Sequence, residues 1–414
     1  MAANEVSSHP SFNYFIEEVN TPLVSPFDQS NWDRMKIYSA GLAAHNKAVA
    51  AAILAVQALY KAQANGLSTS HAMSVYRSAK AVLSRDIDDT ALDFNLLLLN
   101  AFLLCLFEIL IPEETASLFS ESDGAFIRRL ESWKLEGYHS PMALRIEAWL
   151  RMIQAAARRG GGPGFLSHVV SDLLATQTPE PPSLSLLDNY ADAATSLYDL
   201  VSAPVVTFFL NLQKISAEVA NLSHYHRSRI TGTDQEEVAE LMAQLKSKLA
   251  FLWQDRPAPM RYQPDELRAQ FSRAISEPLI SLVGLCSAAY HTEIVEVGRT
   301  LSDPPLASSE AKQAMRRIRD IVEGDWNASW AASGSGKLNP GYLRALFLCA
   351  IESIHPADTQ WAVQALKQIN NPICRSDFFA SFAQGLAEAQ RRKERRCTTK
   401  WFCYQTYGVP PPFL

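Results

Sequence analysis

Residues Phe94–Ile111 read FNLLLLNAFLLCLFEILI. The stretch has no Lys or Arg and reaches the roughly 18-residue length at which an apolar segment can cross a bilayer. Asn100 and Glu108 interrupt it, three carboxylates (Asp88, Asp89 and Asp93) lead into it, and no basic cluster flanks it. Spanning helices are anchored by basic and aromatic flanks. A helix that is apolar on every side is also what the centre of a large helical protein contains. The segment is therefore expected to be a buried core helix, and the protein to be all-α around it, with no membrane partner.

Helical periodicity dominates outward from this stretch. Trp32, Met35, Leu42 and Val49 lead into Ile53, Val56, Ala58, Leu59 and Tyr60, a long Ala-rich run with high helix propensity. Gly66 is placed to end it, and Ser68 or Ser70 to cap a following helix through Met73, Tyr76 and Leu83. Another helix is predicted over Ala143–Arg158, stopped by Gly160-Gly161-Gly162-Pro163-Gly164. Val238, Leu241, Met242, Leu245, Leu249 and Leu252 fall on one helix face, as do Phe378, Phe382, Leu386 and Ala389. Loops are expected at Thr178–Ser183, Asp255–Pro264 and Ser302–Ser309, each Pro-rich, and over Gly324–Pro340. No alternating strand pattern and no fixed-period repeat stands out, although successive helical hairpins could stack as an α-superhelix. The fold class is thus a large helical bundle or α-superhelical body, more than half helical.

Composition agrees. The 414 residues allow one large domain or two to three smaller ones and can bury a sizeable core. Apolar residues make up 48%, which is the makeup of a folded chain, and only 17 residues are Gly, which leans away from turn-dense β folds. With 38 Lys plus Arg against 43 Asp plus Glu, the net charge of −5 excludes a globally basic nucleic-acid binder. The N-terminus has neither a basic nor an apolar signal region, and the terminal VPPPFL is neither a prenylation box nor a retention signal.

Catalytic and metal motifs do not assemble. The six cysteines (105, 286, 349, 374, 397 and 403) form no C-x-x-C and no zinc quartet; they read as buried thiols in a reducing compartment. Gly334-Ser335-Gly336-Lys337 evokes a phosphate loop, but Ala331 and Leu338 stand where that motif needs Gly and Ser or Thr. His224 and His226, two apart, do not share a helix face and read as a polar helix end. There is no G-x-S-x-G, and Cys105 lies in the apolar run with no local His. Asn221-Leu222-Ser223 and Asn327-Ala328-Ser329 carry little meaning as glycosylation triplets without a secretory signal. No catalytic residue, cofactor or metal ligand is assigned, and the chain is read as a non-enzyme.

One dense basic run remains: Arg391, Arg392, Lys393, Arg395 and Arg396, broken only by Glu394. It continues the helix of Phe378, Phe382 and Leu386. It reads either as a solvated helix end, where cations suit the dipole, or as a nuclear-import or phosphate-contacting patch. Just beyond it, Trp401, Phe402 and Tyr404 are expected to pack the C-terminal tail onto the helical body.

Several phrases taken together resemble the regulatory domain of fungal-specific transcription factors. They are Phe27-Asp28-Gln29-Ser30-Asn31-Trp32-Asp33-Arg34-Met35-Lys36, Ala58–Gln63, Ala72–Tyr76, Phe102–Glu108, Arg145–Leu150 and Thr398–Phe402. The resemblance extends from about residue 12 to the end. It implies a large all-α body over 27–414 after a tail at 1–26, with a candidate sub-boundary near 176–183. In that family such a body usually follows an N-terminal binuclear zinc cluster of six closely spaced cysteines. Here the first Cys is Cys105, so the cluster is absent and no DNA-contacting residue carries over. The resemblance therefore implies a nuclear transcription regulator acting as a homo- or heterodimer, or on another transcription factor or the transcription machinery. It would control a metabolic or secondary-metabolic gene set with a DNA-binding partner. A helical scaffold or adaptor that binds no DNA is the alternative.

Overall fold

A computed structural model describes residues 11–112, 114–136, 139–159, 164–175, 183–184, 193–226, 232–301, 308–333 and 336–409. Several expectations fall outside them: most of the Gly160–Gly164 stop, most of the 176–183 sub-boundary and loop, residues 302–307, Gly334-Ser335, residues 1–10 and the terminal 410–414. The described residues are 80% helical and contain no strand, so the chain is an all-α helical bundle.

The first helices are α1 (Asn13–Glu18), α2 (Gln29–Ala43), α3 (Lys47–Ala64), α4 (Ser70–Asp88) and α5 (Phe94–Glu108). Next come α6 (Ala125–Glu136), α7 (Pro141–Arg159), α8 (His168–Ala175), α9 (Ala193–His226) and α10 (Gly232–Gln254). The remainder are α11 (Pro264–Gln270), α12 (Arg273–Leu301), α13 (Ser309–Ser333), α14 (Leu343–Glu352), α15 (Pro356–Ile369), α16 (Ser376–Lys393) and α17 (Thr399–Tyr407). Helices α3, α4, α6 and α7 pack around α5, with α2 against α3, and α14, α15 and α16 pack as a second group. The long helices α9 and α12 lie against each other between them, α9 taking α7 and α12 taking α14.

The central segment is a buried helix, as its sequence suggests. Every residue of α5 from Leu97 to Glu108 is buried. Asp93 caps it by accepting from the Asn95 N–H at 3.0 Å, and the helix ends at Glu108, so Ile109–Ile111 form a turn. α9 and α12 are the two described helices whose length and composition would let them cross a bilayer; α5 is shorter.

Local chemistry explains where the sequence reading and the structure differ. The Ala-rich run is two helices. Asn46 breaks it, its side chain accepting from the Ala48 and Val49 N–H groups at 3.0 Å each. Gly66 does end α3: its left-handed φ of +62° lets the Leu67 N–H return to the Ala62 carbonyl at 2.7 Å. Thr69, rather than either serine, occupies the N-cap position of α4, with no side-chain cap bond. The loop expected over Gly324–Pro340 is corrected in its first part. α13 runs through Gly324 to Ser333, and Trp326 and Trp330 stack one turn apart with ring centroids 6.2 Å apart. One Gly costs a helix only about 1 kcal/mol, which such a ridge can offset. α9 and α12 each carry an internal proline, Pro204 and Pro278, which masks their continuity in sequence. Before Phe27, where a tail was expected, Phe15, Val19 and Val24 are fully buried in the common core.

Candidate functional site

The basic run does not stay on one helix. α16 stops at Lys393 because Glu394 adopts a left-handed φ of +50°. The Arg395 N–H then returns to the Gln390 carbonyl at 3.3 Å, and the chain turns inward. Buried Gln390 holds this turn, donating to the Ile351 carbonyl at 2.6 Å and accepting from the Cys397 N–H at 3.1 Å. Arg396 is drawn into the body, its Nε and Nη2 donating to Glu352 Oε2 at 2.9 and 2.6 Å. Glu352 Oε1 accepts from Arg299 Nη1 at 2.6 Å, and Arg299 also donates to the Cys397 carbonyl at 3.1 Å. The run therefore divides. Arg396 belongs to a buried ion-pair cluster, Arg391 is half-buried, and Arg392, Lys393 and Arg395 remain exposed. Lys393 Nζ sits 4.6 Å from the Trp401 ring centroid.

The aromatic tail is also divided. Phe402 stacks on Phe382 with rings 6.0 Å apart and an interplanar angle of 3°, and Cys403 beside it is fully buried. Trp401 and Tyr404 are half-exposed. Among the described residues all six cysteines are free and buried, and no group of three or more His, Cys, Asp or Glu could hold a metal. Burial pushes the thiols up, Cys349 and Cys374 to about 12 and Cys403 to about 11, which suits packing rather than nucleophilic chemistry. The side chains of His224, Tyr225 and His226 lie outside the described residues.

A feature no sequence motif announced is a cavity of about 540 Å³ where the two helical groups meet. Its walls come from the Thr21–Phe27 segment, the end of α5 and the turn after it, the end of α7, α9, α12, the start of α14 and α17. Phe27, Phe209, Ala289, Leu343 and Ala345 make much of it apolar. Four cations line it, namely Arg159, Arg344, Arg375 and Lys400, against one carboxyl, Glu108, among the described lining residues.

Each charged group has a definable setting. Arg159 Nη1 donates to Gln213 Oε1 at 2.7 Å and to Ser216 Oγ at 2.9 Å. Burial, with the charge of Arg344 adding to it, draws the Arg159 guanidinium down to about 9. Arg344 pairs with buried Glu293, its Nη2 3.3 Å from Oε2. Arg375 Nη2 donates to the Leu110 carbonyl at 2.9 Å, tying the two helical groups across the cavity. Glu108 accepts from the Tyr76 hydroxyl at 2.7 Å, and burial raises its carboxyl toward the neutral form. Lys400 and Arg375 are exposed toward solvent. The volume falls within the 300–1,000 Å³ range typical of small-molecule sites, mostly apolar with a few convergent polar groups.

The chain matches no family model, no curated protein and no solved structure in the comparisons made.

Proposed function

We propose that this chain is the helical regulatory body of a nuclear transcription regulator, working through protein partners that supply the DNA contact. The supporting observation is that the phrases resembling fungal transcription-factor regulatory domains converge in space. Asp28, Asn31 and Trp32 belong to the first phrase, Phe102 to another and Arg145 and Trp149 to a third. Arg145 and Trp149 both donate to Asp28, and Trp32, Phe102 and Trp149 form an aromatic cluster with centroids 5.4 to 6.4 Å apart. Tyr76, from a further phrase, donates to Glu108 at the end of the Phe102–Glu108 phrase. Residues that specify one another across a core are a stronger warrant for a shared body plan than isolated phrases are. In this reading the DNA-reading element belongs to a partner.

The test fuses the chain to an unrelated DNA-binding domain in a fungal cell carrying a matching reporter, with the unfused chain followed by fluorescence. The expected result is nuclear accumulation of the unfused chain and a several-fold change in reporter output from the fusion. A silent fusion, with the unfused chain excluded from the nucleus, would favour a cytoplasmic scaffold instead.

A further inference from the structure

We infer that the open groove between α13 and the α14–α15 turn docks an acidic amphipathic helix of a partner protein. Lys312 and Arg316 receive its carboxylates, and Met315, Ile354 and Trp361 receive its apolar side chains. α13 packs along α12 and only lightly against α14. One wall of the groove is α13, with Lys312, Arg316 and Arg319 at i, i+4 and i+7, a spacing that aligns them along one side of the helix. The other wall is Ser353, Ile354 and His355, which carry the chain from α14 into α15, together with Trp361 on α15. The space between them holds about 330 Å³ and opens to solvent.

The first observation is charge. Among the described residues, Lys312 and Arg316 are exposed and their side chains make no hydrogen bond or ion pair. Arg319 differs. It pairs with Glu323 at 2.8 Å and with Asp358 at 3.3 Å, and its guanidinium lies 4.9 Å from the Trp361 ring centroid. It is therefore already neutralised and ties the two walls together. Asp358 is the one carboxyl among the described lining residues, and Arg319 holds it. Two unengaged cations one turn apart match carboxylates at the same spacing on a facing helix. Exposed ion pairs of this kind are individually weak, so they select the sign and orientation of the partner while apolar burial supplies most of the affinity.

The second observation is the apolar surface beneath those charges. Ile354 is 39% exposed, and Met315 and Trp361 are only partly covered by the core. A groove with an apolar floor takes a helix through anchors at i, i+3 or i+4, and i+7. Charge and floor together narrow the occupant. A wholly apolar helix would leave both cations unanswered, and a basic one would meet like charge. A nucleic-acid single strand needs aromatic faces free for stacking and a longer cationic track, whereas Arg319 covers one face of Trp361. The inference stands on the groove alone and does not depend on the nuclear reading.

The test uses the purified full-length chain and a fluorescent, alanine-based helical peptide. The peptide carries glutamates at i, i+4 and i+7 and a leucine just before each, which sets an apolar and an acidic stripe side by side. Binding is followed by fluorescence anisotropy and is expected to saturate at one site per chain. Exchanging the glutamates for glutamine, or the leucines for serine, should each weaken it at least tenfold. Lys312→Glu combined with Arg316→Glu should do the same, with circular dichroism and thermal midpoint unchanged because both positions are exposed and unpaired. Arg77→Glu, an exposed change on α4, should leave binding as it is. The inference is overturned if the acidic peptide fails to bind at millimolar concentration, if the glutamine peptide binds as well, or if the double reversal leaves binding intact. It is equally overturned if a single-stranded oligonucleotide binds more tightly and displaces the peptide. A concentration-dependent dimer that the double reversal dissolves would also overturn it, by assigning the groove to a second copy of the chain. Peptide binding is read apart from any reporter, so its failure is distinct from a silent fusion.

Discussion

Arg145 meets Asp28 end-on across 117 residues of sequence, Nε to Oδ2 at 2.7 Å and Nη2 to Oδ1 at 2.6 Å, with both side chains almost wholly buried. Trp149 Nε1 donates to the same carboxylate at 2.7 Å and Asn31 Nδ2 at 2.8 Å, so four donors converge on it. The Asn31 side chain in turn accepts from the Leu184 N–H at 2.8 Å. This cluster fixes the start of α2 against α7.

Removing one partner of that pair strips the other, still buried, of the charge it pairs with here. Asp28→Leu and Arg145→Met are each expected to cost about 3–5 kcal/mol, read by urea denaturation. The double variant should lose clearly less than the sum of the two, because both charges leave together. Strict additivity would show that the pair is not coupled.

Phe102 lies fully buried, stacked on Trp149 at 5.6 Å and edge-on to Trp32 at 6.4 Å. Phe102→Ala should cost about 3–5 kcal/mol through lost burial and a residual cavity. Phe102→Asp adds a buried charge without a partner and is expected to abolish cooperative unfolding. A loss below about 1 kcal/mol for the alanine variant would place Phe102 outside the core.

The basic run separates into stability and surface functions. Arg396→Ala removes two charged hydrogen bonds from Glu352 and is expected to cost about 1.5–3 kcal/mol. Arg392→Ala, at an exposed site, should stay within about 0.5 kcal/mol. If the surface cations act in import, replacing Arg392, Lys393 and Arg395 together abolishes nuclear accumulation with the thermal midpoint unchanged. Equal midpoints for the Arg396 and Arg392 variants would contradict the inward turn.

Gly164 has φ +101°, and a Cβ there would lie 2.5 Å from Gln154 Nε2. The Gln154 side-chain Oε1 accepts from the Phe165 and Leu166 N–H groups at 2.6 and 2.8 Å, so the side chain has little room to give. Gly164→Ala is expected to cost about 1–3 kcal/mol from backbone strain alone, plus whatever is lost in the displaced hydrogen bonds. Chemical denaturation measures it, and a neutral effect would show that the Gln154 side chain moves freely.

His291 packs against Trp253 and Tyr290, and burial, assisted by the charge of Arg317, lowers its imidazole to about 4. The unfolded chain then binds the extra proton first, between about pH 6.5 and 4, so stability falls as pH falls through that window. The contribution reaches at most about 3 kcal/mol. His291→Phe should flatten this part of the stability–pH curve while leaving pH 8 little changed; a parallel curve would remove His291 as its source.

Some of this architecture is written in short-range signals. The apolar run of α5, the periodic faces of α7, α10 and α16, and the punctuation at Gly66 all act within a few residues, so their physics is visible in one dimension. Asn46 is equally local and legible afterwards as an N-cap, but the strong propensity of the alanines around it hides the break. The internal prolines of α9 and α12 and the glycine of α13 argue locally against helices that tertiary packing nonetheless holds.

The sequence by itself determined the fold class and the buried status of α5, because composition and periodicity decide which residues avoid water. It also fixed that the basic run exists. Only the tertiary structure decided what those charges do. Arg396 turns inward because Glu352, 44 residues earlier, waits in a buried site shared with Arg299. The cavity, likewise, gathers Arg159, Arg344, Arg375 and Lys400 from four separated stretches. Their spacing along the chain carries no period, and their shared field arises only when α7, α14 and α17 close around the same space.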